Sequence, residues 1–263
     1  MKCLNIIVYY DNRKEVAEYI SEVTQISDGT VDVAVVINKN THKDNLEDLC
    51  TACGKLVDYG ENVGYLNSML RYIRENDVSQ YDYIILSNTD IHYEMKSFFS
   101  RLAENRYNPD IGCIAPSVFS TMTQSYQNPH YVERIPKEKF KRLARIFSHP
   151  SLGLLYLRLS EWKAKGETSE KKSSCYVYSP NGSYMIFTKE FIARIKGYEY
   201  GVKLYSEESC IGELLCKNGL RCFYDESIEV IHEESTVTGK INYRERFAAW
   251  RESIEYILHE FYS

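Results

Sequence analysis

The sequence has no apolar run that reaches the roughly 18 residues a membrane-spanning helix needs. Its start, Met1-Lys2, leads into the apolar segment Leu4–Tyr9, which is too short and too interrupted for a signal peptide. The sequence has no excess of positive charge. Its 32 Lys and Arg and 37 Asp and Glu give a net charge of −5. This balance argues against nucleic acid as a partner, and we expect a cytoplasmic protein.

The eight cysteines lack the paired spacing of a zinc or redox site. Cys50 and Cys53 form a Cys-x-x-Cys pair, but no second pair at matching spacing accompanies it. Several of the others lie inside apolar runs, where a reduced thiol packs as a small hydrophobic group. We therefore expect free thiols.

What the sequence does contain is an alternation of short apolar runs and segments with helical spacing. This alternation predicts an α/β fold with a mostly parallel central sheet flanked by helices. No repeat and no Pro/Gly-rich linker divides residues 1–263, so we expect a single domain. The predicted strands are Leu4–Tyr9, Val31–Ile37, Lys55–Asp58, Tyr81–Ser87, Ser183–Thr188, Leu220–Tyr224 and Ile228–His232. The predicted helices are Arg13–Gln25, Tyr65–Glu75, Met95–Glu104, Lys189–Ile195, Ser209–Asn218 and Tyr243–Phe261.

A basic insert interrupts this alternation at about residues 121–174. Between Arg134 and Lys172, eleven Lys and Arg stand against four Glu, a local charge of +7, so the remainder carries −12. Apolar residues recur at helical spacing at Phe140, Leu143, Ala144 and Phe147, and Leu152–Leu159 continues apolar. A basic helix pair is predicted, and two interpretations are open. It is either a hairpin packed on the sheet or a contact with an anionic membrane surface or a lipid-linked acceptor.

The segment Leu86-Ser-Asn-Thr-Asp90 places a carboxylate directly after a predicted buried strand. Open α/β sheets bind ligands at the carboxyl ends of their strands. Hard divalent cations bind carboxylate and phosphate oxygens, so Asp90 is a candidate to hold a cation together with a diphosphate. A turn or helix-capping role for Asp90 is the alternative.

Three further segments carry candidate site residues. Gly64 lies between a predicted strand and a helix, where glycine permits close backbone approach and a helix N-terminus favours an anion, although it also suits a simple turn. Glu207 and Glu208 precede a predicted helix and are either surface acids or a general base. His232 ends a predicted strand and is either structural or a metal or phosphate ligand.

Taken in order, these segments resemble the family 2 glycosyltransferases of the GT-A fold, and in particular rhamnosyltransferase-like members that build bacterial surface polysaccharides. The resemblance spans most of the chain. The segments that carry it are Ile6–Asn12, Glu61–Asn67, Leu86–Asp90, Asn181–Phe187, Glu207–Glu208 and Val230–His232.

The resemblance implies an inverting transfer of a sugar from a nucleoside-diphosphate sugar to a saccharide or lipid-linked saccharide acceptor, as in capsule or O-antigen synthesis. It implies Mn²⁺ or Mg²⁺ as cofactor, with Asp90 and His232 as ligands, and Glu208 or its neighbour Glu207 as base. Gly182 and Ser183 would lie on the acceptor side. The implied donor-binding residues are Tyr9, Tyr10, Asp11, Asn38, Asn62, Gly64, Tyr65, Asn67, Asn88 and Asp90. Such an enzyme would be cytoplasmic or peripheral on the inner face of the cytoplasmic membrane.

The sequence departs from the family pattern in three places, one of which is that the acidic pair at 207–208 is Glu-Glu rather than the more frequent Glu-Asp. Ile37 and Asn38 stand where the family usually has an acidic residue, so the nucleotide base is open, and only the final Asp of the metal motif is kept. A catalytically inactive sugar-nucleotide-binding or scaffold subunit is therefore the alternative. A nucleotidyltransferase would be expected to have a Gly-rich basic loop after the first strand, and Tyr10–Arg13 is not such a loop.

Overall fold

The computed structural model describes residues 1–46, 48–49, 54–164, 170–234 and 242–262. Within these ranges the chain forms ten strands and eight helices. The strands are β1 (Cys3–Tyr10), β2 (Val31–Lys39), β3 (Gly54–Asp58), β4 (Tyr83–Ser87), β5 (Ile91–His92), β6 (Ile111–Ser120), β7 (Ser125–Tyr126), β8 (Cys175–Val177), β9 (Tyr184–Thr188) and β10 (Arg221–His232). The helices are α1 (Arg13–Ser27), α2 (Tyr65–Glu75), α3 (Phe98–Glu104), α4 (Lys137–Phe147), α5 (Pro150–Ala164), α6 (Lys189–Ile195), α7 (Glu207–Lys217) and α8 (Tyr243–Phe261).

All ten strands belong to one mixed sheet with the order β3-β2-β1-β4-β9-β6-β10-β5, to which β7 and β8 add at β6 and β10. The first four strands in this order are parallel, β9 is antiparallel to both β4 and β6, and β10 is parallel to β6. The carboxyl ends of β1, β2, β4, β6 and β10 therefore meet at one edge of the sheet, together with the start of β9. This edge is called the ligand edge below.

The sheet is covered on both faces, which explains its nearly continuous apolar strands. Alternate residues of β1 enter different cores, because side chains of a strand point to opposite faces. Leu4 and Ile6 join a core built with α2, α6, α7 and α8, whereas Ile7 and Tyr9 join a second core built with α1 and α3. The predicted α/β fold with its mostly parallel sheet is confirmed.

Several elements differ from the sequence prediction, among them the short strands β5, β7 and β8, which were not predicted. β6, buried along almost its whole length, was not predicted, and β10 is one continuous strand with an irregular register between Asp225 and Glu229 where two strands were expected. Helix α7 begins at Glu207, two residues earlier than predicted, so Glu207 and Glu208 lie in its first turn rather than before it. The six described cysteines are free thiols, as expected, while Cys50 and Cys53 lie outside the described residues.

The basic insert forms the predicted helix pair, α4 and α5. The apolar side of α4 is covered by the C-terminal helix α8, since Phe147 is buried and stacks on Phe247 with ring centroids 5.7 Å apart. Arg134 fixes the start of the insert by donating two hydrogen bonds of 2.8 Å to the carboxylate of Glu213 on α7. The hairpin is thus packed mainly on α8 rather than directly on the sheet. None of the described helices combines the length and apolar character needed to cross a membrane.

Candidate functional site

Backbone and side-chain hydrogen bonds join the turns that leave the ligand edge. After β1, the Asn12 amide donates to the Thr89 hydroxyl at 2.9 Å. After β4, the backbone N–H of Asn88 donates to the Ser183 carbonyl at 2.8 Å, and the Asp90 carbonyl accepts from the backbone N–H of Glu233 at 3.0 Å. Segments that are far apart in sequence are therefore held in one place, with Asp90 between them.

Asp90 and His232 face each other at this edge. The Asp90 Oδ1 atom lies 3.3 Å from His232 Nε2, and each side chain is only 12% exposed. The other ring nitrogen of His232, Nδ1, lies 3.0 Å from Gln127 Oε1. An amide oxygen can only accept, so Nδ1 carries the proton, and in the neutral imidazole Nε2 presents its lone pair toward Asp90.

The orientation of Gln127 is itself fixed. Its amide nitrogen donates to the Glu234 carboxylate, which also accepts a hydrogen bond of 2.6 Å from the Ser120 hydroxyl. Gln127 Oε1 is thereby directed at His232. A histidine that ligates a metal usually donates its second N–H to such a partner, which sets the tautomer and the ring orientation.

The donor set of Asp90 and His232 fits a divalent cation in its chemistry, because a carboxylate oxygen and an imidazole nitrogen lie 3.3 Å apart. Within the described ranges no group of three or more His, Cys, Asp or Glu is arranged to hold a metal ion. A cation bound by this pair would therefore take its remaining ligands from a substrate diphosphate or from water.

A cleft of about 460 Å³ opens beside Asp90. Its size falls in the range of small-molecule sites. Asp11 and Asp90 are the two predicted donor-binding residues that line it. The remaining lining residues are Asn12, Arg13, Lys14, Glu15, Glu18, Thr89, His92 and Glu233.

Asp11, with a left-handed φ of 54°, anchors the loop after β2. Its carboxylate accepts hydrogen bonds of 2.6 and 2.7 Å from Thr41 and lies 2.9 Å from the Lys39 ammonium. Burial opposes ionisation, but these partners outweigh it and lower the pKa of Asp11 to about 2. Of its neighbours, Tyr9 is buried and bonded to the Asp44 carboxylate, whereas the Tyr10 ring is 37% exposed at the edge.

The side chains of Asn38, Asn62 and Asn67 are engaged in holding the turn around Gly64. Asn38 donates to the Gly64 carbonyl at 3.2 Å, and Asn62 accepts from the Gly64 N–H at 2.9 Å. Asn67 donates to the Tyr200 carbonyl at 2.8 Å and accepts from the Tyr200 N–H at 3.0 Å. These residues shape the site through its backbone, and a direct contact with a donor stays a prediction.

Gly64 is required by two features of this turn. Its φ is +92°, and a Cβ built on it would lie 2.1 Å from the carbonyl oxygen of Lys203. A left-handed conformation disfavours other residues, and the close approach excludes any side chain. The segment that leads to α7 therefore crosses directly over the glycine turn.

Tyr65, at the start of α2, links the two halves of the site. Its hydroxyl is buried and has no hydrogen-bond partner among the residues that the structure describes. Burial raises the pKa of Tyr65 well above its ordinary value, and Tyr19 adds to this. Smaller contributions come, in order, from the carboxylates of Glu207, Asp90 and Glu208. The negative charges of both acidic motifs thus contribute to the raised pKa of Tyr65.

The two acids of α7 have different surroundings. Glu207 is buried and accepts a hydrogen bond of 2.9 Å from the Tyr205 N–H, and burial together with the Glu208 charge raises its pKa to about 8. Glu208 is half-buried and lies against Gly182, where an added Cβ would come within 2.7 Å of Glu208 Oε1. Gly182 therefore leaves room for the Glu208 carboxylate.

The segment around Gly182 is held by asparagines. Asn181 Oδ1 accepts hydrogen bonds of 2.9 and 2.6 Å from the backbone N–H and hydroxyl of Ser183, and the Asn181 N–H donates to Asn128 at 2.8 Å. Ser183 is buried, so its hydroxyl is engaged within this turn. An acceptor contact of Ser183 stays a prediction.

Comparison with solved structures shows the same architecture. A Pyrobaculum calidifontis mannosyltransferase, solved with GDP-Man and Mn²⁺, is similar over 90% of this chain and 58% of its own, with a TM-score of 0.55 and 11% identity. GalNAc-T7, solved with UDP, GalNAc and Mn²⁺, is similar over all of this chain and 56% of its own, with a TM-score of 0.54 and 10% identity. S. aureus TarS residues 1–349 match over 86% of this chain and 61% of their own, with a TM-score of 0.52 and 12% identity. The chain has the GT-A fold.

The chain spans somewhat more than half the length of these GT-A structures. No protein-family model matches the sequence. No curated protein matches it either. At such low identities the likeness establishes the fold, and the chemistry has to be argued from this chain's own residues.

The GT-A fold places two residues in the site that the sequence did not indicate. Gln127 reaches His232 from the segment after β7, and the His130 ring contacts the Tyr131 ring at a tilt of 58°, with ring centroids 4.1 Å apart. Burial lowers the pKa of His130, while the Glu208 carboxylate acts in the opposite direction. His130 lies two residues after Asn128, whose side chain accepts from the Asn181 N–H next to Gly182. Neither Gln127 nor His130 belongs to a sequence motif. Their place in the site becomes visible only when strands that are distant in sequence are paired in the structure.

Proposed function

We propose that this chain is a metal-dependent, inverting glycosyltransferase that moves a sugar from a nucleoside-diphosphate sugar to a hydroxyl of a saccharide acceptor. The observation that carries the proposal is the meeting of two acidic centres at one sheet edge. The Asp90–His232 pair lies there, and the Glu208 carboxylate lies against Gly182, whose neighbour Ser183 accepts a hydrogen bond of 2.8 Å from the Asn88 N–H.

On the donor side, Asp90 and His232 would hold Mn²⁺ or Mg²⁺, with Gln127 keeping His232 in the ligating tautomer. The cation supplies neutralisation of the charge that develops on the departing diphosphate. Support for a nucleotide-sugar donor comes from the two GT-A structures that contain GDP-Man or UDP with Mn²⁺. The exposed ring of Tyr10 is available to stack on the nucleotide base.

On the acceptor side, Glu208 takes the proton of the attacking hydroxyl. The acceptor oxygen forms a bond to the anomeric carbon as the bond to the diphosphate oxygen breaks on the opposite face, and the electron pair leaves with the diphosphate. Glu207 suits this role less, because it is buried and its carboxyl oxygen is bonded to the Tyr205 backbone. The space beside Gly182 is where the acceptor hydroxyl would meet Glu208.

Tyr65 is a further candidate to contact the donor. Its hydroxyl is buried, so a diphosphate oxygen would reach it only if donor binding opens its surroundings, and the hydroxyl would then gain the partner that it lacks among the described residues. A buried hydroxyl without a partner is costly, so binding of the donor would relieve that cost.

The acceptor class is proposed from the family resemblance. It is a saccharide, lipid-linked in surface polysaccharide synthesis, and the rhamnosyltransferase-like motif order makes a deoxysugar donor the first to test. Such a reaction takes place on the cytoplasmic side of the membrane, where nucleotide sugars are made.

The test is release of nucleoside diphosphate from a panel of donors, namely GDP-mannose, UDP-linked sugars and dTDP-rhamnose, with Mn²⁺ and saccharide acceptors. Replacing Glu208→Gln removes the base and is expected to lower turnover by about 10²–10⁴-fold while leaving donor affinity within about twofold. Glu207→Gln is the matched control and should keep turnover within about tenfold of wild type.

Normal turnover of Glu208→Gln would refute the assignment of the base. Metal-dependent binding of a donor without turnover on any acceptor would favour the alternative, a sugar-nucleotide-binding subunit.

A further inference from the structure

Helix α5 has two apolar sides, and only one of them is packed against the rest of the described structure. On the packed side, Gly153 lies against the Phe247 ring, where an added Cβ would come within 2.8 Å, and Tyr156 meets Phe147 edge to face. On the other side, four large apolar side chains are between 47% and 74% exposed, namely Leu152, Leu155, Leu159 and Trp162.

These four residues form a continuous stripe, which we call the α5 stripe. At 100° per residue they fall within an arc of about 80°, and with a rise of 1.5 Å per residue the stripe is about 15 Å long. Single exposed apolar residues are common on soluble proteins, but a contiguous apolar strip marks an interaction site. Helices that are apolar on all sides are normally buried on all sides.

The helix pair that carries the α5 stripe is basic, with seven Lys and Arg against two Glu between residues 137 and 164. Arg158 is exposed on the same helix, beside Trp162 on the helical wheel, and Arg142 and Arg145 are exposed on α4. The segment from Arg134 to Lys172 carries +7, whereas the rest of the chain carries −12. The only strongly basic segment of an acidic protein therefore carries its exposed apolar stripe.

This charge distribution decides between two occupants. A second copy of the chain, packed on the same stripe by twofold symmetry, would bring two basic helix pairs together and would be opposed by repulsion. An anionic lipid surface would instead be attracted by the Arg side chains and would also take up the leucines and the tryptophan. Tryptophan is, in addition, favoured at the boundary between headgroups and acyl chains.

We propose that the α5 stripe lies on the surface of an anionic lipid bilayer, with Leu155, Leu159 and Trp162 inserted at the level of the acyl boundary and Arg158 at the headgroup phosphates. The apolar side of α4 takes no part, because α8 already covers it. The contact is peripheral and does not depend on the proposed transfer reaction.

The test is sedimentation of the full chain with vesicles of phosphatidylcholine and phosphatidylglycerol in equal parts, and with vesicles of phosphatidylcholine alone. We expect the wild-type protein to sediment with the anionic vesicles and to remain in solution with the neutral ones. Replacing Leu155, Leu159 and Trp162 together by Ser is expected to lower the partition coefficient at least about 100-fold, since each buried large apolar side chain contributes about tenfold or more. The matched control, Met122→Ser with Val132→Ser, removes two exposed apolar residues outside α5 and should bind like wild type.

A second readout is independent of sedimentation. The chain has two tryptophans, and Trp250 is half-buried against Phe147, so the difference between wild type and Trp162→Phe isolates Trp162. Its fluorescence should shift to the blue when anionic vesicles are added. If the triple variant loses its native circular dichroism, Trp162→Ser alone serves as the variant, with an expected loss of about tenfold.

Three results would overturn the proposal. The first is a wild-type protein that stays in the supernatant with anionic vesicles. The second is a variant without the stripe that binds as well as wild type. The third is a wild-type protein that does not bind vesicles and is a dimer by light scattering, with the dimer dissociated by the triple substitution. The stripe would then be covered by a second copy of the chain. Vesicle binding is measured without donor or acceptor, so its failure and a failure of the proposed transfer reaction are distinguishable.

Discussion

Replacing Gln127 by Leu tests whether the metal site is built as the structure indicates. The substitution removes the acceptor of the His232 Nδ1–H, now 3.0 Å away, and keeps the backbone hydrogen bond from Gln127 N to the Val118 carbonyl at 2.8 Å. Glu234 retains the hydrogen bond from Ser120. The perturbation is therefore directed at the tautomer and orientation of His232.

The expected magnitude follows from the role of such outer partners. Removing the group that orients a metal-ligating histidine typically costs 10–100-fold in metal affinity, which is about 1.4–2.8 kcal/mol. If Asp90 and His232 are the two ligands that the described residues supply, the loss of one oriented ligand should fall toward the upper end of this range.

The assay is calorimetric titration of Mn²⁺ into protein saturated with UDP or GDP, whichever stabilises the wild type. The control is Gln25→Leu, a change of the same type at an exposed position on α1. Nitrogen-15 chemical shifts of His232 supply the structural readout, since wild type should show a protonated Nδ1 and the variant a mixture of tautomers. A Mn²⁺ affinity within about twofold of wild type in Gln127→Leu would refute the reasoning.

Two further predictions concern the rest of the site. The pKa of Glu207 is raised from 4.5 to about 8 in the folded protein. Between these two pH values the unfolded chain releases the Glu207 proton and the folded protein keeps it, so the stability of the wild type falls as the pH rises from 4.5 toward about 8. Glu207→Gln should remove this part of the pH dependence and be more stable relative to wild type at pH 9 than at pH 5 in urea unfolding, and an unchanged difference would contradict it. Gly64→Ala should cost more than about 3 kcal/mol, because it combines a left-handed φ with overlap of the Lys203 carbonyl. Gly60→Ala, with a similar φ and open space around the new Cβ, should cost about 1 kcal/mol, and equal costs would show that the overlap is relieved without penalty.

The sequence predicted the first half of the sheet well because its strands follow the simple βα alternation. β1, β2 and β4 are apolar runs bounded by helices with clear periodicity, and these strands lie within one or two residues of the predicted bounds at most ends. β6 was missed because it contains Pro116, and proline argues against a central strand on sequence grounds. In the structure, the Pro116 carbonyl accepts from Asn128, which a sequence pattern does not reveal.

The sequence predicted those site residues that lie at the ends of predicted strands. Asp90 and His232 were both placed at strand ends, and the structure brings them within 3.3 Å because β5, which follows Asp90, pairs with the end of β10. The distinct surroundings of Glu207 and Glu208 were not predictable, since they depend on the start of α7 and on Gly182, far away in sequence. Gln127 belongs to the same class of long-range contact.

The insert illustrates a different limit. Its helical periodicity correctly predicted α4 and α5. The periodicity did not show which helix face is packed on the protein and which is left exposed. The more amphipathic helix, α4, has its apolar side covered by α8, whereas the less amphipathic α5 leaves a stripe exposed. Amphipathicity predicts that a face is buried and does not say against what.

The most direct test of the central claim is the thermal unfolding of wild type and Asp90→Ala with nucleoside diphosphate, each with and without Mn²⁺. If Asp90 and His232 hold a cation together with the donor diphosphate, wild type gains stability when nucleotide and Mn²⁺ are both present. At 100 times the dissociation constant the gain is about 2.7 kcal/mol, or on the order of 5 °C. Asp90→Ala should lose this gain and keep the melting temperature of the unliganded protein. An equal, Mn²⁺-dependent rise in Asp90→Ala, or a rise in wild type that does not depend on Mn²⁺, would contradict the account.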